Sequence, residues 1–270
     1  MNDDFNKLVS AAQKGDHLAL EQVVRSIQDR VHHLSMRMLV NPADACDATQ
    51  EILILVITKL STFEGKSSFF TWVYRVATNY LLNAKKISAQ DRGLNFDMFR
   101  TDLEENLASG LDPSPENSVI LNELRIACTM AMLLCLDLKH RIVYVLGDIL
   151  ELNHSEAIEI LGITKENYRK RLSRARANVI AFTSKSCGLV NANAKCSCAR
   201  RLPSALELGR IRIDKITYAT NQAPTYSDVL EKTQKLEQSL KTLCLQKATP
   251  QFISPKDFGA FVTQIVEETS

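Results

Sequence analysis

The amino-acid sequence predicts an all-α fold, and three observations carry that expectation. Glycine and proline are scarce, 9 and 7 of 270 residues. Apolar residues recur at spacings of three and four through most of the chain, the period of helices with one buried face, which leaves strands little support. Hydrophobic residues make up 45% and charged residues 24%, ordinary values for a folded chain and outside the range of a wholly disordered one.

In order along the chain, Phe5, Leu8, Val9 and Ala12 form a first helical stripe, and Leu20, Val23, Val24, Ile27, Val31 and Leu34 a second. Asn41-Pro42 interrupts the pattern, because proline lacks an N–H and fixes φ. A further helix is expected from near Asp44 to Leu60, with an apolar run long enough to lie deep in a bundle. Residues 61–68 read as a loop, followed by a helix from Phe69 to about Lys86. Residues 88–118 hold Gly93, Gly110, Pro113 and Pro115 among acidic and polar residues, a composition that favours an irregular linker. Helical stripes return in Ile120, Leu124, Ala127, Cys128, Ala131 and Leu134, and again in Ile142, Val143, Leu146, Ile149 and Leu150. Five segments follow: 1–88, a linker at 89–118, 119–185, a cysteine cluster at 186–202, and an extension at 203–270.

Charge is segregated in the same way. The net charge of +2 conceals 10 positive and 9 negative side chains in residues 1–90, 2 and 8 in 91–123, 13 and 6 in 124–202, and 8 and 8 in the remainder. A near-neutral domain, an acidic connector and a basic domain point to separate partners, the basic piece being suited to a phosphate backbone.

The basic piece contains a helix-turn-helix pattern. A short helix from Ser155 to Leu161 is stopped by Gly162, and a second begins after Thr164 as its expected N-cap. The second helix carries Lys165, Arg169, Lys170, Arg171, Arg174 and Arg176 against the single acid Glu166, while Tyr168, Leu172, Ala175 and Val179 keep an apolar stripe. Lys165, Glu166, Asn167 and Arg169, at its start, suit base edges in a major groove, and the later arginines suit phosphates. A solvated basic helix without a ligand is the plain alternative.

The helix from Phe69 separates into an apolar face, Phe69, Val73, Val76 and Tyr80, and a second face of Trp72, Arg75, Asn79, Asn83 and Lys86. One large aromatic among hydrogen-bonding and cationic groups is the combination that stacks unpaired bases while holding their backbone. Phe63, Lys66 and Ser67 in the preceding loop extend that surface. The alternative is that the sole tryptophan is a core residue.

Residues 5–182 resemble the extracytoplasmic-function group of bacterial sigma factors. The resemblance is carried by Asp47, Gln50, Glu51, Phe63, Gly65, Phe69, Thr71, Trp72, Arg75, Ala77 and Asn79 in the first part. Glu156, Leu161, Gly162, Arg171, Leu172, Arg174, Ala175 and Arg176 carry it in the second. Ala157 then Ile158 stand where the family has Ile then Ala, and Asn167 and Tyr168 where it has Val and a small residue. The resemblance implies that Asp47, Gln50, Glu51 and Ile54 dock on the clamp helices of the largest subunit of core RNA polymerase. It implies that Phe63 to Lys86 captures an unpaired base of the minus-10 promoter element and holds the open strand. The helix-turn-helix would read the minus-35 element as duplex, and the acidic linker would thread near the active site. No catalytic residue is required, because the polymerase supplies the chemistry, so the chain is not expected to be an enzyme. An anti-sigma factor is a candidate partner that the sequence leaves open. A helix-turn-helix regulator that never joins polymerase is the rival, and it leaves the Trp72 face and the acidic linker unexplained.

Cys187, Cys196 and Cys198 lie within twelve residues among Gly, Asn and Ala, which suggests thiols outside a core, able to bind zinc or copper or to act as redox groups. Their spacing matches no standard finger, and no cofactor is required for the main reading. Cys46, Cys128, Cys135 and Cys244 fall on apolar stripes and are expected in the core. In residues 203–270 one helix is expected, with Val229, Leu236, Leu240 and Leu243 recurring along it; this extension either stabilises the domain before it or tunes activity. No run of eighteen apolar residues and no signal peptide is visible, so a cytoplasmic protein without a membrane partner is expected.

Overall fold

A computed structural model of the protein describes residues 2–83, 94–105, 107–108, 118–220 and 222–262. All regular elements among them are helical, apart from one isolated bridge between Arg212 and Lys215. No helix of the described residues is long and apolar enough to cross a membrane. The chain divides into two compact units. One gathers residues from 1–89, 153–165 and 252–270, the other from 90–152 and 166–251.

The first unit is built on α1 (Asn2–Gln13), α2 (His17–Leu39), α3 (Pro42–Thr58) and α4 (Phe69–Asn83). The side chain of Asp16 accepts the Ala19 N–H at 3.0 Å and so caps α2. The expected stripe Val23, Val24, Ile27, Val31 and Leu34 is buried. Val40, at φ +65°, ends this helix in a conformation uncommon for a β-branched residue, with its N–H on the Met36 carbonyl. Asn41 then takes the N–H groups of Ala43 and Asp44 on its side-chain oxygen, and Pro42 occupies the first turn of α3, where its missing N–H costs nothing. Ser68 accepts the Thr71 N–H at 3.0 Å at the start of α4.

The buried positions of α4 differ from the expected apolar face. Phe69, Thr71, Val73, Tyr74, Ala77, Thr78 and Leu81 are buried, whereas Val76 and Tyr80 are half-buried. The reason is that α4 packs on α2, α3 and also α8 (His154–Leu161), so more than one stripe is covered. Residues 153–165 accordingly belong to the first unit, a partition that differs from the segment boundaries expected at 119–185.

The second unit holds α5 (Phe96–Glu104), α6 (Ser118–Leu134), α7 (Leu138–Tyr144, running into a wider turn at Val145–Ile149), α9 (Lys165–Ser186), α10 (Cys198–Glu207), α11 (Tyr226–Gln234) and α12 (Gln238–Lys247). Helix α5 corrects the expectation of an irregular linker throughout 89–118. Phe96, Phe99 and Leu103 sit at helical spacing, Asn95 caps Asp97 and Met98, and Phe99 stacks on Phe182 at 5.3 Å. Arg141 is fully buried and donates to the carbonyls of Leu133, Leu134 and Leu136 at 2.7, 3.1 and 2.9 Å, closing the end of α6.

Most of the extension is part of this unit. Buried Glu123 accepts the N–H groups of Thr217, Tyr218 and Ala219 at 2.8, 2.8 and 2.7 Å, and Asn122 donates to the Pro224 carbonyl. The single helix expected around Val229 to Leu243 is two, α11 and α12. Val229, Thr242 and Leu245 are buried while Leu240 is exposed.

The cysteine cluster is also corrected. Cys196 is buried, Cys187 and Cys198 pack against the same core as Cys128, Phe99, Leu103, Phe182, Leu189 and Val190, and all are free thiols. The core is supplied by α5 and by the residues between the cysteines, and the small neighbours allow it. Gly188 permits the pinch: its N–H meets the Cys196 carbonyl at 2.9 Å, and a Cβ there would lie 2.7 Å from that oxygen.

Candidate nucleic-acid interface

In the first unit the loop after α3 is held in place by α1. The Gln13 amide donates to the carbonyls of Leu60 and Phe63 at 2.9 and 2.8 Å, and Gly65 turns the chain at φ +70°. The result is a cleft of about 440 Å³ whose walls include Phe5, Gln13, Phe63, Ser67, Ser68 and Phe70. Aromatic rings surround it: Phe63 meets Phe69 edge-on at 5.3 Å and Trp72 at 5.5 Å, and Phe5 stacks on Phe70 at 5.2 Å. Mixed apolar walls and hydrogen-bonding groups suit a planar heteroaromatic ring.

The expected residues distribute unevenly around this cleft. Phe63 and Ser67 line it, and Lys66 is exposed beside it and paired with Glu64. Trp72 is half-buried behind the Phe63 and Phe69 rings. Arg75, Asn79 and Asn83 lie exposed further along α4; the Asn83 amide donates to the Asn79 carbonyl at 2.9 Å. Arg75 donates to the Glu159 carbonyl at 2.8 Å with the Glu159 carboxylate at 3.5 Å, and Thr71 donates to the Glu156 carboxylate at 3.1 Å. Lys86 lies outside the described residues. Phe5, Gln13 and Phe70 were not singled out from sequence. Phe5 reads there only as part of an apolar stripe, and the amide of Gln13 carries no pattern.

On α3, Asp47, Glu51 and Ile54 are exposed and Gln50 half-buried, one strip at spacings of three and four. Asp47 and Glu51 act on the Tyr80 phenol, which burial and then these two charges raise above its ordinary pKa.

In the second unit, α9 buries Tyr168, Leu172, Ala175 and Val179 as expected. Tyr168, where the family has a small residue, fits because residue 147 is glycine: a Cβ there would stand 2.5 Å from the Tyr168 hydroxyl. Lys165, Glu166, Asn167, Arg169, Lys170 and Arg174 are exposed and Arg171 half-buried. Arg176 differs in kind, since its guanidinium grips the buried Asp148 carboxylate at 2.8 and 2.5 Å and braces α9 on the turn after α7.

The thiols are set against ready chemistry. Burial raises Cys187, pushes Cys128 and Cys196 up to about 12, and raises Cys198 well above the ordinary thiol. Neutral thiols are poor nucleophiles. Among the described residues no group of three or more His, Cys, Asp or Glu side chains is arranged to hold a metal ion.

Comparison with known proteins identifies the family. The Sigma-70 region 2 family matches residues 23–89. The ECF RNA polymerase sigma factor SigW of Bacillus subtilis is 31% identical over 176 residues, covering 64% of this chain and 92% of its own length. The ECF RNA polymerase sigma-E factors of Haemophilus influenzae and Escherichia coli are each 33% identical over 63% of this chain, covering 89% and 88% of theirs. A solved structure of CnrH in complex with the cytosolic domain of CnrY is similar with a TM-score of 0.46 at 21% identity, over 66% of this chain and 95% of that one. With 31% identity to SigW over 92% of that protein's length, this chain belongs to the ECF RNA polymerase sigma factors and serves transcription initiation.

Proposed function

We propose that this sigma factor divides promoter recognition between its two units. The strip Asp47, Gln50, Glu51 and Ile54 docks on the clamp helices of the polymerase. The cleft walled by Phe63 and Ser67 receives an unpaired minus-10 base, with Trp72, Asn79 and Asn83 along the displaced strand and Arg75 joining once it leaves Glu159. The exposed cations Lys165, Arg169, Lys170, Arg171 and Arg174 of α9 hold the minus-35 duplex, with Glu166 and Asn167 near base edges, and Arg176 positions the helix rather than touching DNA. The polymerase supplies the chemistry, and no cofactor is needed. The chain acts in the cytoplasm, where a dedicated anti-sigma protein is the candidate regulator in trans.

The observation that carries this reading is the 440 Å³ cleft ringed by aromatic side chains, on the same unit as the α3 strip. Apolar walls stack any base, and each stacked base contributes about 1–3 kcal/mol. A regulator binding only duplex has no use for such a cleft. The test adds the purified chain to core polymerase on fragmented genomic DNA and maps the transcript starts. Discrete starts that share upstream elements support the reading; absence of both initiation and polymerase binding rejects it.

A further inference from the structure

The end of the extension leaves the second unit and belongs to the first. There it meets a ladder of α2 side chains, Arg25, Asp29, His33 and Arg37, each four residues from the last and therefore on one helix face. The Phe252 N–H donates to His33 Nδ1 at 2.9 Å, and the Phe252 ring lies 5.6 Å from the His33 ring and 5.4 Å from the Arg37 guanidinium carbon. The Ser254 N–H donates to Asp29 Oδ1 and the Phe258 N–H to Gln28 Oε1, both at 2.9 Å, and Asp257 pairs with Arg25. Phe258 is only 3% exposed. So many backbone and side-chain partners along seven residues make this a fitted segment.

Beyond Phe258 the segment reaches the strip assigned above to polymerase. Phe258, Phe261 and Val262 border an apolar groove of about 280 Å³ whose other wall is α3, including Gln50, Leu53 and Ile54. Two of the four proposed docking residues therefore share their apolar surroundings with the chain's own C-terminal segment. We propose that residues 252–262 are an intramolecular cover that competes with polymerase for the α3 strip. The inference rests on the docking reading given under the proposed function. The cover is partial: Ile54 remains 40% and Phe261 41% exposed, and Asp47 and Glu51 stay outside it. A clamp helix can thus engage the acidic edge first and displace the aromatic residues after. Apparent affinity then falls by the fraction of chains in which the strip is open.

The test compares core-polymerase affinity of the full chain with that of full chains carrying Phe258→Asp or, if circular dichroism shows that variant to be unfolded, Phe261→Asp at the exposed position. A cover closed in nine chains of ten predicts a Kd about tenfold lower for the variant. Adding Ile54→Asp to the same chain should remove the gain. A folded variant whose Kd is unchanged or higher overturns the cover and leaves docking standing. If neither parent nor variant binds polymerase, the docking reading fails and the cover fails with it.

Discussion

Helices α4 and α9 are the two elements proposed to touch DNA, and they hold their polar side chains in opposite ways. On α9 the apolar stripe is sunk in the core, and Lys165, Arg169, Lys170 and Arg174 are exposed without an ion pair to a described residue. On α4 one member of the polar face is engaged, Arg75 by the carbonyl and carboxylate of Glu159, and the buried Thr71 beside it donates to Glu156, while Asn79 and Asn83 stay exposed. Attraction of cations to duplex phosphate is long-ranged and independent of sequence, so permanent display serves it. Strand capture acts on bases that unstack only after docking, and a face tied to α8 must first be released. Under the proposed division of labour, α9 is displayed for DNA in the free chain, whereas Arg75 of α4 has to leave Glu159 first.

Removing the support of α9 should have the largest effect. Phe182 is buried between Phe96 and Phe99, so Phe182→Ala should destabilise the second unit by about 3–5 kcal/mol. A urea titration should show that unit unfolding early while the first keeps its midpoint. Coincident transitions would mean that the two helices do not rest on independent cores.

Next in size is the charge of α9. Arg169→Ala with Arg174→Ala should weaken duplex binding and lower the slope of log K against log salt by roughly two, near 0.9 for each phosphate no longer neutralised. The same pair should leave binding to single-stranded minus-10 oligonucleotides unchanged.

The first unit should be the more sensitive to acid. Burial, with Arg37 and His32 adding in the same sense, holds the His33 imidazole down at about 3, and burial lowers His32 despite the nearby Asp29 charge. Both are neutral when folded, whereas the unfolded chain binds protons near the ordinary value of 6.5. Stability of this unit is therefore fully present above pH 6.5 and falls as pH drops from there toward 3. Thermal melts at pH 7.5 and 5 should show the shift, and His33→Gln, which keeps an acceptor for the Phe252 N–H, should reduce it.

The smallest effect tests the side-chain part of the restraint on α4, the Glu159 carbonyl staying in place. Arg75 and Glu159 are both exposed, and such pairs are worth about 1 kcal/mol or less. Glu159→Ala should leave the melting temperature nearly unchanged and raise single-strand affinity at most a few-fold, measured by anisotropy.

The helical class was legible because spacing alone reports one buried face, and the α9 stripe fell at the residues that periodicity names. The apolar face of α4 was misassigned at Val76 and Tyr80 because α8, more than seventy residues away in sequence, covers another side; single-helix periodicity cannot register a distant neighbour. Helix α5 was hidden by composition, as nearby glycines, prolines and acids outweighed Phe96, Phe99 and Leu103. The cysteines looked coreless because the residues that bury them come partly from α5. In the cleft, Phe63 and Ser67 were readable from their place before an aromatic-rich helix, whereas Gln13 acts through carbonyls nearly fifty residues away. The C-terminal segment was not legible, because the polar ladder Arg25, Asp29, His33 and Arg37 that receives it reads as the ordinary solvent face of an amphipathic helix.

In the proposed division of labour, the Trp72 side of α4 handles melted strand and α9 handles duplex. Permanganate footprinting of promoter complexes made with Trp72→Ala and with Arg171→Ala tests it most directly, alongside the core-polymerase affinity of each. Trp72→Ala should lose the reactive thymines of the open strand, roughly fivefold or more for about 1–3 kcal/mol of stacking, with upstream duplex protection and polymerase affinity kept. Arg171→Ala should lose duplex protection first. Loss of polymerase affinity in Trp72→Ala would make the indole structural, and full strand opening without it would remove α4 from strand capture.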